Sequence, residues 1–160
     1  MACVGRTHTL ADMQGEGDMS FNILVVDDSA VMRAMIIRVL RLTGLSLGEL
    51  YEASDGHEGL RVLDKNWVDL AFVDLNMPIM NGEEMIDYIR NGSAIADLPI
   101  IVVSTESNME RIESIRQKAV EFVHKPFTPE VLRKTVLQLT GVSDDELSRE
   151  NSLSEIGPDF

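Results

Sequence analysis

The sequence predicts an α/β fold: a doubly wound, five-stranded parallel sheet with helices on both faces. Two observations carry that expectation. Short runs rich in β-branched aliphatics at 21–26, 68–73 and 99–103, with weaker ones at 49–53 and 121–124, alternate with helical stretches at about 29–42, 56–65, 82–91, 107–118 and 128–140. The runs ILVV (23–26) and IIVV (100–103) are apolar throughout, as strands buried on both faces are. Strands alternating with helices pair in parallel through right-handed crossovers. Sheets of five such units commonly take the order 2-1-3-4-5 and bind ligands beyond the carboxyl ends of strands 1 and 3.

Taken in order, residues 1–20 are poor in aliphatics and read as a disordered leader outside the fold. The first helix is amphipathic. At 100° per residue, Arg33, Arg38 and Arg41 share one arc, while Val31, Met32, Met35, Ile36, Val39 and Leu42 are expected on the buried one. Gly44 ends it. Its methionines read as core filler. The last helix opens at Thr128-Pro129, buries Val131, Leu132, Thr135, Val136 and Leu139, and closes at Gly141. Beyond it, 142–160 form an acidic tail in which Ser143-Asp144-Asp145-Glu146 offers a capping box for one short helix. A segment that short cannot bury a core of its own, so no output domain is expected after residue 141, and a disordered end is the simpler reading.

Composition bounds the function. The 160 residues carry a net charge of −13, which argues against a nucleic-acid surface because phosphate contacts need clustered Lys and Arg. The single cysteine, Cys3, forms no internal disulfide and fits a reducing compartment. No apolar run approaches the roughly 20 residues that span a bilayer, and the first residues lack the order of a signal peptide. The expectation is a cytoplasmic protein with no membrane segment.

The strand ends hold the chemistry. The first strand runs into Asp27-Asp28, the third into Asp74, the fourth into Ser104-Thr105, and the fifth into Lys125-Pro126. Each has a bland reading: Asp28 or Ser29 as a helix cap, Ser104 or Thr105 as the next cap, Lys125 as a surface charge. Jointly they converge on one rim. Two like charges about 4 Å apart repel by about 4 kcal/mol at an effective dielectric near 20. Three carboxylates against one lysine therefore leave two negative charges in excess, which a hard divalent cation cancels. The small ion that keeps waters beside a phosphate is Mg²⁺. Asp74, alone on its strand, is placed as a carboxylate nucleophile toward phosphorus, with the metal and Lys125 neutralising the transferring group.

The stretches VVDDSAVMR (25–33), FVDLNMP (72–78) with Asn81-Gly82, LPIIVVST (98–105) and KPF (125–127) occur in this order. Over about Phe21–Thr140 the chain resembles the receiver domain of two-component response regulators, a flavodoxin-like fold, and within it the single-domain chemotaxis regulators. The resemblance implies that Asp74 is the phospho-acceptor. It implies that Asp28, the Asp74 carboxylate and the Asn76 carbonyl ligate Mg²⁺, with Asp27 acting through a metal-bound water. Ser104, with Thr105 beside it, would meet the phosphoryl group, Lys125 would pair with it, and the Lys125-Pro126 bond would be cis. Ser104 and the aromatic Phe122 would form the switch. The phosphoryl group would come from a sensor histidine kinase or phosphotransfer protein, and the output would be a target protein on the face of the fourth helix, fifth strand and fifth helix, in chemotaxis or another phosphorelay. The protein would be a monomer or a phosphorylation-dependent dimer.

Two departures from that family stand out. Gln117-Lys118-Ala119 replaces the usual glycine-containing turn, where a lysine tolerates positive φ poorly. Phe122 stands where those chemotaxis regulators carry tyrosine, which removes a hydroxyl a flagellar motor could read. Of the histidines, His124 precedes Lys125 and could face away, His57 starts a helix and His8 lies in the leader; none is flanked like a phosphohistidine or metal cluster. Two other classes compete. A haloacid-dehalogenase-type phosphohydrolase would need an acid/base two residues after its nucleophile, and Asn76 is an amide that cannot transfer the proton. An inert interaction module would be expected to lack part of the acidic set or the lysine, and all are present.

Overall fold

The computed structural model describes residues 20–92 and 94–141. The tail, its capping box, Cys3, His8 and all of the leader except Ser20 lie outside them. Five strands, β1 (Phe21–Val26), β2 (Leu47–Ala53), β3 (Leu70–Val73), β4 (Ile100–Ser104) and β5 (Glu121–His124), alternate with five helices. These are α1 (Ala30–Leu42), α2 (Gly56–Lys65), α3 (Gly82–Arg90), α4 (Met109–Arg116) and α5 (Pro129–Thr140). All the strand pairs are parallel, in the order β2-β1-β3-β4-β5 expected.

Side-chain alternation in the central strands feeds two cores. Leu24, Val26, Ala71, Val73, Ile100 and Val102 face α2, α3 and α4 through Leu63, Met85, Ile86, Ile89 and Ile115. Ile23, Val25, Phe72, Ile101 and Val103 face α1 and α5 through Ile36, Leu40, Leu132 and Val136. Each such side chain, fully buried, contributes roughly 1.5–3 kcal/mol of transfer free energy.

Two helix faces differ from expectation. On α1 the buried residues are Ile36 and Leu40, with Met32, Ile37 and Val39 half-buried, while Val31, Met35 and Leu42 are exposed. The helix is apolar on more than one side, and contact with α5 selects an arc rotated from the one the arginines suggest. On α5, Leu137 is buried and Val131 exposed, the reverse of the expected placing.

Ser29 caps the start of α1 and Thr128 that of α5, as the sequence indicates, while Asp55 caps α2 and Asn81 caps α3 in a capping box with Glu84. The cap of α4 is Asn108, not Ser104 or Thr105. In the turn before β5 the positive φ (57°) falls on Ala119 and not on Lys118. Arg90 holds that turn. Its guanidinium donates to the carbonyls of Lys118 (2.9 Å), Ala119 (3.0 Å), Ala96 (2.7 Å) and Leu98 (2.8 Å), and Lys118 pairs with Asp87 at 2.6 Å. Both loops lie at the rim where β4 and β5 begin.

Candidate functional site

The opposite rim, where β1, β3, β4 and β5 end, carries the site. Val26 is in register with Val73, so Asp27 and Asp74 leave adjacent strands at one level. One more ladder bond fixes each backbone: Asp27 N–H to the Ala53 carbonyl (3.0 Å), Asp74 N–H to the Val26 carbonyl (2.9 Å), Lys125 N–H to the Ser104 carbonyl (2.9 Å). Regular pairing thus delivers three of the candidate side chains to one place.

Lys125 Nζ donates to Asp27 Oδ2 at 3.3 Å and lies 3.7 Å from Asp74 Oδ1. Its side chain is only 13% exposed, so it is a lysine held between two carboxylates and not a surface charge. Asp27, 2% exposed, also accepts the Ser29 N–H at 2.8 Å through Oδ1. Asp74 Oδ1 accepts the Leu75 N–H at 2.9 Å. One carboxylate oxygen each from Asp27, Asp28 and Asp74 lies within 4.8 Å of the others, with Asp28 exposed at the mouth. This oxygen-only set of three carboxylates, left with two negative charges after Lys125, fits a hard divalent cation.

The electrostatics bear on Asp74 most. Burial pushes its carboxyl above the ordinary range, and the neighbouring Asp27 and Asp28 charges push the same way. Lys125 and the Leu75 N–H oppose them.

The remaining predicted residues surround this centre. Ser104 is buried at the end of β4, Thr105 is exposed beside it, and Asn76 is exposed two residues after Asp74. Phe122 is half-buried against the same core face as Val102, with which it is in register; Ser104 is one same-face step along the sheet. Lys125-Pro126 is cis, as the resemblance implies. His124, in register with Ser104, is exposed and alternates onto the same face as Phe122.

Among the described residues no helix is long and apolar enough to cross a membrane. The chain matches the response regulator receiver domain over residues 23–137. The chain belongs to the response regulator receiver family. Relatives include a chemotaxis protein CheY homolog of Campylobacter jejuni (serotype O:23/36), 37% identical over 126 residues, 78% of this chain and 95% of that protein. The chemotaxis protein CheY1 of Helicobacter pylori (strain 26695) is 35% identical over 124 residues, covering 76% of this chain and 98% of its own length. The solved structure of Vibrio cholerae chemotaxis protein CheY4 superposes with a TM-score of 0.66 at 32% identity, covering 75% of this chain and 98% of that one. This receiver is of the CheY type.

Three features of this receiver's site escape a reading of strand ends. Arg33, on α1, donates to the Asp27 carbonyl at 2.7 Å and pairs with Glu52 at 3.1 Å, bracing the first strand end. Glu106 donates its N–H to Ser104 Oγ, accepts the Ser107 and Asn108 N–H groups on Oε1, and pairs with Arg111 at 2.7 Å. Gly82 lets α3 start against the Asp74 backbone, because a Cβ there would stand 2.1 Å from the Asp74 carbonyl oxygen. The Asn81-Gly82 pair is the only one of the three with a sequence signal; the other two depend on side-chain reach.

Proposed function

We propose that this receiver accepts a phosphoryl group on Asp74 from a phosphohistidine of a sensor histidine kinase or phosphotransfer protein. The P–N bond breaks as the P–O bond to Asp74 forms, and the departing imidazole nitrogen is left to take a proton. The observation that carries this reading is Lys125 Nζ, 3.3 Å from Asp27 and 3.7 Å from Asp74, over a three-carboxylate cluster. That is a cation already aimed at where phosphoryl oxygens would lie. Asp28, the Asp74 carboxylate and the Asn76 carbonyl would hold Mg²⁺, with Asp27 reaching it through water. Bound there, the ion supplies charge neutralisation for the phosphoryl oxygens.

Ser104 and Thr105 would meet the phosphoryl group, and Ser104 with Phe122 would carry the change to the face of α4, β5 and α5, where a target protein binds. The relatives' names favour chemotaxis, with another phosphorelay as the alternative. The domain comprises residues 21–141, works in the cytoplasm as a monomer or phosphorylation-dependent dimer, and catalyses only its own phosphorylation and dephosphorylation. A phosphohydrolase acting through the same aspartyl phosphate is disfavoured by the amide at Asn76.

Acetyl phosphate with Mg²⁺ should add one phosphate by intact-mass spectrometry, and Asp74→Asn none while keeping its circular-dichroism spectrum. Equal labelling of that variant would overturn the assignment.

A further inference from the structure

The outer face of α1 is unlike the rest of the surface. Val31, Met35 and Leu42 are 76%, 48% and 66% exposed, and with Arg38 they recur at three- and four-residue spacing along one stripe. Ala34 and Arg41 are exposed on its flank. Val131, 45% exposed, adds an apolar group on the neighbouring α5.

Charge is segregated the same way. Residues 20–141 hold 12 Lys and Arg against 18 Asp and Glu; α1 and α5 together contain five of those bases and a single acid, Glu130. The remaining elements and loops therefore hold seven bases against 17 acids. Arg33 is spent on Glu52 and the Asp27 carbonyl, whereas Arg38 and Arg41 point into solvent.

One segment of this chain has the complementary chemistry. Residues 142–160 carry Asp144, Asp145, Glu146, Glu150, Glu155 and Asp159 against Arg149 alone, with Leu147, Leu153, Ile156 and Phe160 among them. They follow Gly141 directly, at the end of the helix that packs on α1. The two helices are also joined at the C-terminus of α1, where Arg133 donates to the Thr43 carbonyl at 3.1 Å. At about 3.3 Å per residue, nineteen residues reach roughly 60 Å, whereas the thirteen-residue α1 is about 20 Å long. The tether makes the encounter intramolecular, at an effective concentration of order millimolar.

We propose that the acidic segment 142–160 docks along the exposed stripe of α1, its carboxylates on Arg38 and Arg41 and its aliphatic side chains on Val31, Met35 and Leu42. The stripe begins two residues after Ser29 and three after Asp28, at the end of α1 beside the acidic mouth. Acidic tails elsewhere are usually solvated and repelled by an acidic domain; here the basic, apolar helix adjoins the one to which the tail is attached.

The test uses the full chain carrying Cys3→Ser and Ser152→Cys, with a nitroxide on the new thiol and backbone amides followed by NMR. At low salt the amides of residues 30–42 should lose more than half their intensity, while those of α3 and α4 keep theirs. The loss should largely disappear in about 1 M salt, where the screening length is about 3 Å. It should also fall several-fold in an Arg38→Glu, Arg41→Glu variant whose circular-dichroism spectrum is unchanged. Uniform broadening, broadening centred on another face, or none at all overturns the proposal, as does insensitivity to the two arginines. No step of this measurement requires phosphate, so failure of Asp74 labelling and failure of docking are told apart.

Discussion

Glu106 gives its backbone N–H to Ser104 Oγ at 3.1 Å while its own carboxylate holds the N–H groups of Ser107 and Asn108 and the guanidinium of Arg111. The hydroxyl proposed to meet the phosphoryl group is thus already tied to the start of α4. If Ser104 turns inward, that bond must stretch or carry the loop with it. A charge-assisted hydrogen bond is worth roughly 1.5–3 kcal/mol, one to two decades in a two-state equilibrium. Ser104→Ala should accept phosphate from acetyl phosphate yet lose most beryllium-fluoride-induced NMR shifts at Phe122 and in 107–116. Glu106→Ala should keep the shift at Phe122 and lose those in α4. Wild-type shifts in both variants would show that another element carries the change.

Asp74 gives a pH dependence with a definite sign. Its carboxyl is raised in the folded protein by burial and by Asp27 and Asp28. Between the unfolded value near 3.9 and the raised folded value, the native state binds more protons than the unfolded one. Stability then falls as pH rises through that window. Asp74→Asn should therefore raise the melting temperature of the metal-free protein at pH 7. The gain should vanish below about pH 4. A variant that melts lower than wild type at pH 7 would count against this account of the pocket.

Cation binding to the native cluster should show in melting curves. At ten times its dissociation constant a ligand adds about 1.4 kcal/mol. Millimolar Mg²⁺ should raise the melting temperature of the wild type, and Asp28→Asn should cut that rise by more than half. A wild type indifferent to Mg²⁺ up to tens of millimolar would argue that the carboxylates do not form a cation site.

Gly82 tests how tightly Asp74 is seated. Its N–H already bonds the Leu75 carbonyl at 3.0 Å, so the backbone cannot simply back away from Asp74. Gly82→Ala should cost about 2–4 kcal/mol by urea denaturation, in the range of disruptive core changes, and slow acetyl phosphate labelling. Unchanged stability would mean that the loop relaxes freely.

Ile79 sits in the same loop with φ of 67° and 83% exposure. A β-branched residue there is a backbone outlier, and its side chain contributes little packing. Ile79→Gly relieves a left-handed penalty of roughly 1–2 kcal/mol against an entropy cost of roughly 0.5–1 kcal/mol. The expected outcome is a melting temperature raised by 1–3 °C with acceptor labelling intact. A lowered melting temperature would assign the side chain a contact of its own.

Much of this was legible in the chain itself. Ile23–Val26 and Ile100–Val103 are apolar at every position, a pattern that central parallel strands share with few other elements, and the sheet order followed. Asp27, Asp74 and Lys125 were legible because the first residue past a strand lands on one rim whatever its side chain does. Which face of α1 is buried was not. Eight of its residues from Val31 to Leu42 are Val, Leu, Ile or Met, so the choice between Leu40 and Leu42 belongs to α5 and not to periodicity. The positive φ at Ala119 was misplaced by one residue because Arg90, some thirty positions away, fixes the carbonyls on either side. Glu106 was missed for a similar reason: its part depends on reaching Asn108 and Arg111 at once.

Arg90 has a consequence for anyone who wishes to watch this protein at work. By gripping four carbonyls of two loops it makes the rim remote from Asp74 the quiet end of the sheet. A fluorine or nitrile reporter at Ala96 or Lys118 should keep one signal whatever the state of Asp74. It would serve as an internal reference against which a second reporter, near Glu106, is calibrated.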